Sequence, residues 1–179
     1  MSNQSHVTGS IDTELYQGTI GDALHRAAML WPDGEALISR HQNLRLTFAE
    51  LLDQSQSFAL GLLELGLKPG DRVGIWAPNC VQWVITQYAT SLSGMILVNI
   101  NPDYRPRELK FALEKVGCKA LVMSRKSEHA NYVQMVDDLK AQGDIGCIEH
   151  LVLIGEQQQK NIITLPVSCK MGKAKIPGN

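Results

Sequence analysis

Apolar and polar positions alternate along this chain in two periods, and the change from one to the other marks the elements. From Thr19 the apolar residues Ile20, Ala23, Leu24, Ala27, Ala28 and Leu30 recur at helical spacing. Thr19 with Asp22 three positions on is a capping pair, and Pro32 disfavours a helical residue at Trp31, so a first helix ends there. Two short β-type runs, Ala36 to Ser39 and Leu44 to Thr47, flank His41-Gln42-Asn43 and predict a hairpin. Thr47-Phe48-Ala49-Glu50 is a capping box. The helix it opens carries Leu51, Leu52, Phe58, Ala59, Leu62 and Leu63 inward and stops at Gly66, a residue suited to the left-handed closing position.

Beyond the turn Lys68-Pro69-Gly70-Asp71, strand and helix alternate. Arg72 to Ala77 is an apolar strand, and a helix from Cys80 to about Ser93 ends at Gly94. Met95 to Asn99 is the next strand, followed by a helix opened by Pro106 and closed by Gly117. Ala120 to Met123, a weaker helix from about Ser127 to Ala141, and Leu151 to Ile154 complete four strands alternating with three helices. Strands apolar throughout and joined by helices imply a parallel sheet covered on both faces, so the expected fold is a partial doubly wound α/β sheet with a small N-terminal hairpin. The division expected is a flexible segment over 1–18, one folded unit over 19–154, and a tail over 155–179 where periodicity stops. That tail carries Lys160, Lys170, Lys173 and Lys175, without aromatic interleaving or amphipathic spacing, and reads as disordered.

Composition narrows the function classes only a little. The chain has 179 residues, 44% hydrophobic and 20% charged, with a formal net charge of −1, so no global field draws nucleic acid or anionic membrane. No apolar run approaches the roughly 20 residues of a membrane span. Cys80, Cys118, Cys147 and Cys169 stand singly, without metal spacing, which suits a reducing compartment. The polar start with Asp12 and Glu14 lacks the features of a signal or transit peptide, so the expected location is the cytoplasm, with the mitochondrion as the alternative.

Candidate chemistry is sparse. Gly61 and Gly66 have the spacing of a phosphate loop, but Leu67 stands where its lysine belongs, Pro69 where its Ser/Thr belongs, and the segment lies in a helix rather than between strand and helix. The turn Ala77-Pro78-Asn79-Cys80 sits at a strand's carboxyl end, where open α/β sheets bind ligands, yet it lacks the glycine fingerprint of a dinucleotide site. Asn79 there is expected to cap the next helix. Trp76 and Trp83 have apolar neighbours and read as core, Cys80 as a buried inert thiol, and His25, His41, His129 and His150 as isolated side chains without a nucleophile. No residue is assigned a catalytic, cofactor-binding or metal-binding role.

Several stretches taken together carry a resemblance. Leu46-Thr47-Phe48-Ala49-Glu50-Leu51, then Gly66-Leu67-Lys68-Pro69-Gly70-Asp71-Arg72-Val73, then Trp76-Ala77-Pro78-Asn79, resemble the opening of adenylate-forming (AMP-dependent) synthetases. Leu97-Val98-Asn99-Ile100-Asn101-Pro102, Glu108-Leu109 and Lys115 to Val122 continue in register, with wording similar to the medium-chain fatty acyl-CoA ligases. The resemblance runs from about Thr19 to Ile154. It implies a parent reaction in which a fatty carboxylate attacks the ATP α-phosphate, releasing pyrophosphate, before the CoA thiol displaces AMP, with Mg²⁺ assisting. It also implies a Ser/Thr/Gly-rich loop with a lysine, an acid for the ribose, and a lysine from a C-terminal domain, none of which this sequence contains. The expectation is therefore a truncated N-terminal fragment that needs no cofactor and is inactive alone, whereas the intact parent takes fatty acid, ATP and CoA. The alternative is an interaction module that pairs with itself or a full-length synthetase through an exposed sheet edge.

Overall fold

The computed structural model describes residues 9, 10, 12, 14–126 and 130–155 and the backbone of 163–165. Helix α1 (Ile20–Leu30) begins with a capping box in which Thr19 accepts from the Asp22 N–H at 3.0 Å and Asp22 accepts from the Thr19 N–H at 2.9 Å. Trp31 leaves the helical region ahead of Pro32, as the steric rule for residues before proline requires. Strands β1 (Glu35–Ser39) and β2 (Leu44–Thr47) form the antiparallel hairpin, and Thr47 with Glu50 caps α2 (Phe48–Glu64). Gly66 takes φ +88°, which closes the helix without the strain a Cβ would bring.

The remaining elements are β3 (Arg72–Trp76), α3 (Val81–Leu92), β4 (Ile96–Asn99), α4 (Pro106–Val116), β5 (Cys118–Ser124), α5 (Tyr132–Ala141) and β6 (His150–Ile154). They build a parallel sheet ordered β4-β3-β5-β6, extended by β7 (Ile163–Leu165), which pairs parallel with β6. Strand β7 falls within the stretch read as tail. Its neighbours at 156–162 and 166–179, with Lys160, Lys170, Lys173, Lys175 and Cys169, lie outside the described residues, as does His129.

Two apolar clusters account for the two-sided cover. Leu24, Leu51, Phe58, Leu62, Val81, Ile85 and Ala89 of α1–α3 pack on Val73, Ile75, Ala120, Val122 and Val152. Leu109 and Leu113 of α4 with Val136 and Leu139 of α5 pack on Trp76, Leu121, Met123 and Leu153. Alternate residues of each strand thus serve opposite cores, the period-2 consequence of pleating, and so the strands read as continuous apolar runs. Gly74 is the gap in this pattern: a Cβ there would lie 3.0 Å from Ile100 Cδ1 and 3.1 Å from Leu121 Cδ1. Those side chains fill the space over its backbone.

Three expectations need correction. Leu63 is 40% exposed, because it lies on the flank of α2 away from the sheet. The fifth helix starts at Tyr132 rather than near Ser127. Asn131 is its N-cap, its side chain accepting from the Gln134 N–H at 3.2 Å, while Lys126 and Asn131 form an isolated antiparallel bridge. Asn79 does not cap α3, whose first N–H donates instead to Gln42.

At the amino end of the sheet Asp71 accepts from Lys119 Nζ at 2.9 Å and from the Lys68 N–H at 2.9 Å. The Lys119 contact, then the backbone N–H, hold its carboxyl below the usual aspartate range. A depressed folded-state pKa stabilises fully above the unfolded value, about 4, and the contribution is lost as pH falls through the lower folded value. Asp71→Asn is therefore expected to lower the urea midpoint at pH 7, with the gap from the wild type closing as pH drops below about 4. A gap that stays constant down to the acid transition would contradict this.

Candidate functional site

In an open parallel sheet ligands bind beyond the carboxyl ends of the strands, where successive connections leave in opposite directions. Here α3 carries the chain from β3 to β4 on one side, and α4 returns it across β3 to β5 on the other. The switch point therefore lies between the ends of β3 and β5, at Trp76-Ala77-Pro78 and Met123-Ser124-Arg125.

A pair of aromatic rings fills the α4/α5 side of that crevice. Trp76, fully buried, stacks on Tyr132 with centroids 3.8 Å apart and planes inclined 14°. Both rings use their polar tips on the loop after β4: Trp76 Nε1 donates to the Asn101 carbonyl at 3.1 Å, and the Tyr132 hydroxyl donates to the Pro102 carbonyl at 2.7 Å. The Tyr132 backbone N–H donates to the Arg125 carbonyl at 3.0 Å, so the same residue ties down the loop after β5. Trp76 is core, as expected. Its partner was not foreseen, because nothing in the sequence relates positions 76 and 132.

On the opposite side of the sheet the hairpin turn reaches the start of α3. Gln42 Oε1 accepts from the Val81 N–H at 2.8 Å and from Ser39 Oγ at 2.9 Å, and Gln42 Nε2 donates to Gln82 Oε1 at 3.0 Å. Cys80 occupies the N-cap position and makes no side-chain cap bond, and Asn79 is exposed. A long-range glutamine thus does what a local Asn was expected to do. Sequence spacing could not find it, since capping rules look only within a few residues of the helix start.

The remaining candidates stay apart. Cys80 is half-buried and burial pushes its thiol up, against the N–H groups of Trp83 and Gln82, so the helix start does not activate it. Burial raises Cys118 to about 12, and Cys147 also lies above the ordinary thiol range. Trp83 is partly buried beside the first core. Gly61 lies inside α2 and Gly66 just past its end, so the glycine pair faces no strand-to-helix turn. His25 lies 3.5 Å from Gln56 Nε2, His41 is 3.3 Å from Ser39 Oγ, and His150 opens β6 at the far end of the sheet. Among the described residues no three His, Cys, Asp or Glu side chains could hold a metal ion, so no residue is assigned to Mg²⁺. No helix among them is long and apolar enough to cross a membrane.

A parallel sheet with its switch point between the first and third of its strands in chain order defines the doubly wound α/β class. Within that class the family is specific: residues 24–168 match the AMP-binding enzymes, and the chain belongs to that family. A mitochondrial medium-chain acyl-CoA ligase of Bos taurus is 44% identical over 135 residues, covering 75% of this chain and 22% of that protein. The corresponding ligase of Homo sapiens is 42% identical with the same coverage. Among solved structures, a fatty acyl-CoA synthetase of Mycobacterium tuberculosis superposes with a TM-score of 0.69 at 26% identity, over 75% of this chain and 26% of that one. An acetoacetyl-CoA synthetase of Streptomyces lividans gives 0.73 at 24% identity, over 88% of this chain and 25% of that one, and so shares the fold. The chain spans about a fifth of the length of the curated relatives it matches.

Proposed function

We propose that these residues are the scaffold portion of a fatty acyl-CoA ligase and do not by themselves activate a carboxylate. The observation that carries this reading is the switch-point crevice. It is built from family-matching sequence, and its described walls include an aromatic stack and a glutamine cap, with Arg125 in the loop after β5. Activation of a fatty acid by ATP would need donors converging on the α-phosphate, and the Ala77-Pro78-Asn79 turn after β3 carries no cationic side chain. The role of this portion is to fix the two crevice loops for chemistry performed by residues elsewhere in a ligase. Fatty acid, ATP, Mg²⁺ and CoA are the reactants and metal of that larger assembly. The mitochondrial names of the similar ligases favour the mitochondrion over the cytoplasm as the compartment.

A chimera tests the scaffold role. Residues 24–154 of this chain, replacing the matching segment of a medium-chain acyl-CoA ligase, are expected to leave octanoyl-CoA formation within about tenfold of the parent. That range corresponds to about 1.4 kcal/mol in the transition state. A soluble, folded chimera with no thioester formation would contradict it.

A further inference from the structure

The β1–β2 hairpin carries a cleft that the proposed scaffold role does not use. Its volume is about 290 Å³, and its lining is Ile38, Ser39, Arg40, Asn43, Leu44 and Arg45. The charged groups in that lining are both guanidinium groups. Among the described residues Arg40 makes no ion pair, while Arg45 is paired with Glu35 from the first strand of the hairpin. Asn43 holds the turn in a left-handed conformation, φ 52°, and Ser39, only 8% exposed, is fixed by its bond to Gln42. The turn is thus anchored through Gln42 to the start of α3, and the two arginines project from an anchored frame.

We propose that this cleft binds a phosphate-type oxyanion between Arg40 and Arg45. The guanidinium fork matches paired oxygens of a phosphate and keeps its charge at every accessible pH. The volume has room for on the order of ten waters, so a phosphate enters with part of its hydration retained. Glu35 competes for Arg45, so binding exchanges one ion pair for another and is weak in the wild type.

Inorganic phosphate and glycerol phosphate are titrated into the full chain at constant ionic strength, with backbone amide shifts read by NMR. Saturable shifts confined to residues 35–45 are expected with both, and none with chloride. Arg40→Gln is expected to weaken binding about fivefold, the scale of an exposed ion pair, while Glu35→Gln, which removes the competing carboxylate, tightens it. All these side chains are exposed, and an unchanged amide spectrum outside the hairpin verifies that each variant is folded. Non-saturable or scattered shifts, equal shifts with chloride, or an Arg40→Gln variant that binds as the wild type does would overturn the proposal.

Discussion

Replacing Trp76 with Ala is expected to destabilise the protein by about 3–5 kcal/mol, the range for a fully buried Trp truncated to Ala. The side chain is wholly buried between β3 and α5, so its loss leaves a cavity bounded by Tyr132, Leu121 and Met123 of the same cluster. It also removes the stack at 3.8 Å and the bond to the Asn101 carbonyl. Because a typical domain has only about 5–15 kcal/mol in hand, the loss is a large fraction of the total. Thermal unfolding is the measurement, and a fall in Tm of roughly 6–20 °C is expected for a chain of this size. Trp76→Phe separates the contributions: it keeps an aromatic face for Tyr132 but cannot donate, so it should recover most of the deficit and leave about 1 kcal/mol outstanding. A Trp76→Ala variant within 1 kcal/mol of the wild type would show that the stacked pair does not hold the crevice together.

The second large effect is at Gln42. Gln42→Ala takes away the acceptor for the Val81 N–H and the donor to Gln82, whose side chain is 1% exposed. A group left less well satisfied at such a site costs about 1–3 kcal/mol, and chemical denaturation is expected to show a loss in that range. The informative comparison is Asn79→Ala. If capping followed the local rule, Asn79→Ala would cost about 1 kcal/mol. With Gln42 in that role, Asn79→Ala stays within about 0.5 kcal/mol, as exposed substitutions do. The order of the two variants decides between the local and the long-range cap.

The contrast shows what the sequence displays and what it hides. Boundaries governed by neighbours were legible: Thr19 with Asp22, Thr47 with Glu50, Pro106 in the first turn of α4, and Gly117 at φ 63° closing it. The doubly wound sheet was also legible, since Arg72 to Ala77, Ala120 to Met123 and Leu151 to Ile154 read as apolar runs for the physical reason that both faces of each strand are covered. The start of α5 was not, because its N-cap Asn131 pairs with Lys126 in an isolated bridge, a pairing that has no periodic signature.

The candidate site was legible in position but not in content. The turn after β3 marks a switch point by topology alone. Its two walls depend on pairs 39 to 56 residues apart in the chain, Gln42 with Val81 and Trp76 with Tyr132, and spacing rules do not reach so far. Asn79 illustrates the failure: its residue type suits a cap, and tertiary structure supplies a different one.

The central proposal is that these residues provide architecture for carboxylate activation without performing it. ATP–pyrophosphate exchange by the purified chain tests this most directly, with octanoate, Mg²⁺ and labelled pyrophosphate present, because exchange reports the adenylation step without requiring CoA or a complete turnover. Exchange at the level of a blank without protein is the expected result, from protein whose cooperative unfolding shows that it is folded. Octanoate-dependent incorporation of label into ATP, abolished by heat-unfolding the same sample, would contradict the account.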